Sequence, residues 1–240
     1  DAELASILVE QAAALTGQAA ALKSTEAKIQ RFNTLLTVSK EITQLDDLHS
    51  LLERIMNSAK KVMRAEASSL FLLDPKANEL YIESAQGEAG EQIRAIRLPV
   101  GKGIAGWVAQ KGKPDLIPDA YQDSRFNPEY DRKTGFRTKS VVCVPLEYKG
   151  RITGVIQIIN SLDKETFEEE DVDYMVALAG QAAVAIENAR LLKDNKELFR
   201  NVVMALVKLI DSRYQFFSGH SVRVAGYATT IARMMGLMGE

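Results

Sequence analysis

Ser140-Val-Val-Cys-Val-Pro-Leu146 and Arg151-Ile-Thr-Gly-Val-Ile-Gln-Ile-Ile159, flanking Tyr148-Lys149-Gly150, decide the fold. Two β-branched runs of strand length around a short glycine-containing turn read as an antiparallel hairpin. Upstream, Ala67-Ser-Ser-Leu-Phe-Leu-Leu73 is another such run, closed by Asp74-Pro-Lys-Ala-Asn78. Glu79-Leu-Tyr-Ile-Glu83 follows with partial alternation, so this pair also reads as antiparallel strands around a short loop. Ile93 to Val100 supplies a further strand candidate. Between the two strand groups, residues 119–139 form a long polar connection. Connections of that length are functional or carry short helices of their own.

The flanks are helical. Leu48, Leu51, Leu52, Ile55, Met56, Ala59 and Val62 follow Asp46-Asp47, with Lys60-Lys61 near the end. Acids first and bases last complement the helix dipole. Beyond Asn160, Glu165-Thr-Phe-Glu-Glu-Glu-Asp171 places acids at a second helix start, a dipole-matching cap rather than a metal site. Met175, Ala179, Ala182, Ile186 and Ala189 continue it in steps of four and three. After a polar break at Lys193–Lys196, the pattern resumes at Phe199, Val202, Leu206 and Leu209. At the other end, Leu8, Leu15, Leu22, Ile29 and Leu36 recur every seven residues. That narrow stripe reads as a dimer-forming linker, with an amphipathic helix lying on its own domain as the alternative.

Composition removes several function classes. Thirty Lys+Arg against 32 Asp+Glu in 240 residues leave no electrostatic footprint for nucleic acid. One cysteine excludes an internal disulfide framework or a cysteine-based zinc cage, and the simplest compartment is the cytoplasm. No apolar run reads as a membrane span. The chain starts at Asp1 without a signal-peptide pattern, and is read as a piece of a longer protein.

Gly101-Lys-Gly-Ile-Ala-Gly106 formally satisfies the dinucleotide fingerprint G-x-G-x-x-G. Too few residues follow before Gly112-Lys-Pro114 for the crossover helix that a parallel βαβ unit needs. What survives is a helix starting at Ile104, whose free N–H groups can face an anion. The alternative is a tight turn that needs glycine for positive φ. Cys143, in an apolar strand, reads as an inert buried thiol. Trp107 and Tyr121 read as core or pocket-wall aromatics.

Taken together, Ser69-Leu-Phe-Leu-Leu-Asp74, Gly101-Lys-Gly-Ile-Ala-Gly-Trp107, Ile117-Pro-Asp-Ala-Tyr121, Thr134-Gly-Phe-Arg-Thr138 and Gly154 through Asn160 resemble the GAF domain. The likeness is strongest to the cyclic-nucleotide-binding GAF domains of phosphodiesterases and adenylyl cyclases. It implies an α+β fold: an antiparallel sheet of about six strands flanked by helices, with long N- and C-terminal signalling helices. It also implies ligand contacts at Ser69, Gln86, Ile104, Ala105, Asn127, Thr134, Thr138 and Gln157. Ile104-Ala105 would meet a cyclic phosphate, Thr134 and Thr138 would offer hydroxyls, and Ser69 and Gln86 would approach the base. Gln157 stands where some relatives place an acid, and Asn127 where one has an aromatic. For Thr134, Thr138 and Ser69, ordinary turn, cap and backbone bonding is the alternative. Of the family signature Asn-Lys-Phe-Asp-Glu, Asn160, Phe167 and Asp171 are recognisable. Ser161 replaces its lysine and Val172 its final acid, so the Lys–Asp pair that closes the lid is not supplied there.

Ala205-Leu-Val-Lys-Leu-Ile-Asp-Ser-Arg213, followed by Ser218-Gly-His-Ser-Val-Arg-Val-Ala225, resembles the opening helices of an HD-GYP phosphodiesterase. That family hydrolyses cyclic di-GMP at a divalent metal centre, to which His220 would contribute in an intact domain. Only His49 and His220 are present, and neither precedes aspartate, so this fragment is expected to be catalytically inert. The resulting organisation is a helical linker at 1–46, a GAF sensor at 47–190, a signalling helix at 191–211 and a severed output domain at 212–240. A homodimer through the terminal helices, a small-molecule ligand and the chain's own catalytic domain are the expected partners. The alternatives are a ligand-free dimerisation module, and an enzyme only in the full-length protein.

Overall fold

A computed structural model describes residues 29, 31, 33, 48–87, 96–213 and 220–237, although no side chain from 210 to 222. All of the heptad stripe except Ile29, and the first part of the Ile93–Val100 strand, lie outside the described residues. Two compact units divide the chain, Asp1–Glu187 and Asn188–Glu240.

In the first unit, α1 (Leu48–Val62) leads into β1 (Ala65–Asp74), β2 (Glu79–Gln86) and β3 (Arg97–Pro99). Then come α2 (Gly103–Lys111), β4 (Asp115–Ile117), α3 (Glu129–Thr134), β5 (Val141–Tyr148), β6 (Arg151–Ser161) and α4 (Glu169–Arg213). The strands form one sheet, ordered β3-β2-β1-β6-β5-β4, in which every pairing is antiparallel. The hairpin read from the sequence is β5–β6, turning at Lys149 (φ 49°) and Gly150 (φ 77°), as a two-residue turn of right-handed strands requires. In the β1–β2 loop, the Asp74 carboxylate accepts from the N–H groups of Lys76 and Ala77. Those two bonds hold its carboxyl below the usual range.

The pleat separates two cores. Leu70, Leu72, Val142, Val144, Ile156 and Ile158 face α1 and the first turns of α4, where Leu52, Ile55, Met56, Met175 and Leu178 are fully buried. Phe71, Val141, Cys143 and Val155 face the other way, toward Ile104, Ala105 and Val108 of α2. Alternation along a strand assigns every second residue to the α2 side.

The structure adds several features to the sequence reading. β4 carries too few residues to show a period and pairs only through Asp115–Ile117 with Val141–Cys143. The long connection contains a 3-10 turn at Ala120–Gln122 and the short helix α3. The helical backbone does not stop at Lys193–Lys196, because this exposed polar run contains neither glycine nor proline, the residues with large helix penalties. Part of the same helix, Glu169–Leu209, is long and apolar enough by length and composition to cross a bilayer. Its apolar residues Met175, Leu178, Ala179, Ala182 and Ala183 are instead buried in the domain core. Asp171, expected to lose its ion pair with the lysine, has two cations: Arg31, and Lys164 at 3.5 Å.

In the second unit, α5 (His220–Met234) is amphipathic, and the described apolar side chains of Leu198, Phe199, Val202, Leu206 and Leu209 are exposed.

Candidate ligand-binding site

On the α2 side of the sheet lies a cavity of about 400 Å³, within the usual range for small-ligand sites. Its floor is a row of residues in register across the sheet: Asp115 opposite Cys143, Cys143 opposite Gln157, Gln157 opposite Ser69, and Ser69 opposite Ala85. Of these, Ser69, Ala85 and Gln157 line the cavity. Gln157 is the register partner of Cys143, and burial drives the pKa of that thiol far up. That thiol is therefore neutral and unreactive in the folded protein.

One wall is the start of α2. Gly101 (φ 87°) and Gly103 (φ 68°) make the turn, as positive φ demands. Gly106 is needed for a different reason: a Cβ there would stand 2.7 Å from the Pro99 carbonyl oxygen. No side chain caps this helix, and Ile104 and Ala105 line the cavity. First-turn N–H groups have no intrahelical partner, so this wall presents the positive end of the helix dipole.

The opposite wall is α3 with the strand-like segment after it, held by a buried carboxylate that the sequence did not single out. Asp131 Oδ2 accepts from the Thr138 backbone N–H at 2.7 Å and from the Tyr121 hydroxyl at 3.0 Å. Its Oδ1 accepts from Thr138 Oγ1 at 2.8 Å. Desolvation and the bond to Asp131 push the Tyr121 phenol up. Asn160, buried at φ 56°, accepts from the Lys139 N–H at 2.6 Å and donates to the Arg137 carbonyl and to Glu66, each at 2.7 Å. The end of β6 thus fixes the segment that carries Thr138.

Every site residue expected from the sequence lines this one cavity: Ser69, Gln86, Ile104, Ala105, Asn127, Thr134, Thr138 and Gln157. They differ in what their polar atoms are free to do. Gln86 is in register with Ser68 rather than Ser69, and it borders the cavity with its amide donating to Ser84 Oγ at 3.4 Å. Asn127 Oδ1 accepts from the Glu129 N–H at 3.0 Å, a local turn bond. Thr134 Oγ1 donates to the Tyr130 carbonyl at 2.9 Å and accepts from the Phe136 N–H at 3.3 Å. His220 has only its backbone described, as the first residue of α5.

Trp107 and Tyr121 do not line the cavity; Phe71, Phe126, Tyr130 and Phe136 do. Trp107 packs under the Arg125 guanidinium, 4.6 Å from the ring centroid, and Tyr121 lies under Arg137 at 3.7 Å. Arg125 also borders the cavity, bonded to Asp115 at 2.7 Å and bidentate to Asp123 at 2.9 and 2.5 Å. That pairing holds the Asp123 carboxyl below its usual range. Its neighbour in sequence, Phe126, was the readable signal for an aromatic here.

The family model for the GAF domain matches residues 47–186, the stretch that forms the sheet, its flanking helices and the cavity. The chain belongs to the GAF domain family. The chain is 34% identical over 169 residues to a probable 3',5'-cyclic phosphodiesterase (pde-5) of Caenorhabditis elegans, covering 66% of this chain and 23% of that protein. It is also 34% identical over 187 residues to the dual 3',5'-cyclic-AMP and -GMP phosphodiesterase 11 of Drosophila melanogaster, covering 71% of this chain and 13% of that protein. The chain thus spans less than a quarter of the length of either relative. Among solved structures, the GAF domain of a phosphoenolpyruvate-protein phosphotransferase from Coxiella burnetii superposes with a TM-score of 0.62. At 23% identity, covering 69% of this chain and 98% of that one, it shares the fold. The GAF domain here is related to those of cyclic-nucleotide phosphodiesterases.

Proposed function

We propose that this GAF domain is a small-molecule sensor that binds a cyclic nucleotide or a similar small anionic ligand. The observation that carries this is the convergence of the uncapped start of α2 with Ser69, Gln157 and Thr138 on one cavity. Backbone N–H groups of Ile104 and Ala105 suit a phosphate, and Gln157 offers a donor and an acceptor to a heterocycle edge. Relatives that carry such domains are named as cyclic-nucleotide phosphodiesterases, which supports the ligand class. Binding favours one arrangement of α3 and the flanking helices, and differential affinity shifts the population. The output is a C-terminal HD-GYP cyclic di-GMP phosphodiesterase, supported by the resemblance of residues 205–213 and 218–225. The protein acts in the cytoplasm as a homodimer. Among the described residues no group of three or more His, Cys, Asp or Glu side chains is placed to hold a metal.

A second reading is a ligand-free module that dimerises and positions helices. It is favoured by one observation: Asn127, Thr134 and Thr138 already spend polar atoms on local partners. A thermal-shift comparison with cyclic AMP, cyclic GMP and cyclic di-GMP separates the two. Ligand at about 100 times its dissociation constant stabilises by roughly 2.7 kcal/mol. No shift with any of them at millimolar concentration would leave the helix-positioning reading.

A further inference from the structure

Asp171 lies in the first turn of α4 and is almost fully buried, and its two carboxylate oxygens serve different masters. Oδ2 accepts from the Glu168 backbone N–H at 2.9 Å, reaching back over the helix start as the acid of a capping box does. Oδ1 accepts from Arg31 Nη2. A buried carboxylate without a cation is costly, and the planar guanidinium fork is the side chain best suited to supply one.

Arg31 does more than neutralise. Its Nη1 donates to the Glu170 carbonyl at 3.3 Å, and its guanidinium lies 5.4 Å from the centroid of the Tyr174 ring. A residue 140 positions upstream therefore grips the carboxylate, a carbonyl and an aromatic face of the same helix start. The remaining cation, Lys164, stands 3.5 Å from Oδ2 and is bonded to Glu168 at 2.6 Å.

We propose that Arg31 is a positioning residue that couples the segment upstream of the domain to the start of α4. With the clasp closed, Asp171 is neutralised and holds the helix cap. Withdrawal of Arg31 leaves a buried carboxylate beside a lysine already shared with Glu168, and the first turn of α4 loosens. This coupling does not depend on what occupies the cavity.

Hydrogen–deuterium exchange on the full chain tests it, comparing the parent with Arg31→Met, Arg31→Lys, Asp171→Asn and the Arg31→Met/Asp171→Asn pair. Arg31→Met is expected to speed exchange in peptides covering 168–178 about tenfold, equivalent to about 1.4 kcal/mol, with β1 and β6 unchanged. Arg31→Lys, which keeps charge but loses the fork, should fall between. The double variant should exchange no faster than the faster single variant, because both remove one interaction. Unchanged exchange in Arg31→Met, additive effects in the pair, or a uniform rise that includes β1 and β6 would each overturn the proposal.

Discussion

Asp131 and Thr138 are joined twice: the Thr138 N–H donates to Oδ2 at 2.7 Å, and the Thr138 hydroxyl donates to Oδ1 at 2.8 Å. The pair closes the turn between α3 and β5, and with it one wall of the cavity. The hydroxyl that the family resemblance assigns to a ligand is thus first of all a structural donor to a buried acid.

Asp131→Ala should be among the more damaging single changes in this wall. It leaves the Thr138 N–H and hydroxyl without their acceptor, and hydrogen bonds to charged groups contribute about 1.5–3 kcal/mol each. A loss of roughly 2–4 kcal/mol in urea unfolding is expected, and Asp131→Asn, which keeps one acceptor oxygen, should lose less. Equal stability of Asp131→Ala and the parent would show that the carboxylate does not organise the wall.

Thr138→Ala and Thr134→Ala should separate. Thr138 donates to a buried carboxylate, whereas Thr134 bonds backbone in its own turn. Thr138→Ala is expected to cost about 1–2 kcal/mol and Thr134→Ala under about 1 kcal/mol. Under the proposed function the double variant also loses any thermal response to cyclic nucleotide; a full response would place the ligand elsewhere.

Gly106→Ala should disturb the α2 wall although α2 itself favours alanine. The added Cβ meets the Pro99 carbonyl oxygen at 2.7 Å, so the 99–106 turn must open. Overpacking of this kind costs about 1–3 kcal/mol. Gly180→Ala is the control, because nothing lies within 4 Å of a Cβ there; it should unfold at or above the parent temperature.

Cys143 should resist iodoacetamide in the folded chain and react fully in denaturant, because burial disfavours its thiolate. The sign for stability follows. The unfolded thiol ionises near about pH 8.5 while the folded thiol stays protonated, so stability falls as pH rises above that value. Between about pH 8.5 and 10, Cys143→Ala should lose less stability than the parent, by up to about 1.4 kcal/mol per unit. Parallel curves would show that the thiol is accessible.

The hairpin β5–β6 was legible because strand-length β-branched runs and a Lys149-Gly150 turn are both local signals. β4 was not, since its three residues become a strand only by pairing with β5. Among the site residues, Ile104 and Ala105 open a helix that the Gly101–Gly106 pattern announces, whereas the facing of Gln157 is set by its pairing with Ser69 and Cys143. The bond from Gln86 to Ser84 was not readable, because the facing of β2 depends on its register against β1, which shifts between Leu70 and Phe71. Asp131 gave no signal at all: its partners Thr138 and Tyr121 meet it only once the 119–139 segment folds back.

The sequence by itself determined the antiparallel sheet, its flanking helices and the order of the GAF motifs, because hydrophobic period and turn chemistry act over a few residues. Tertiary structure decided which polar atoms are spoken for. Asp131 on Thr138, Gln86 on Ser84 and Arg31 on Asp171 are settled by register, chain reversal and a contact across 140 residues. A buried charge takes whichever donor the folded chain brings within reach, and distance along the sequence does not enter that energy.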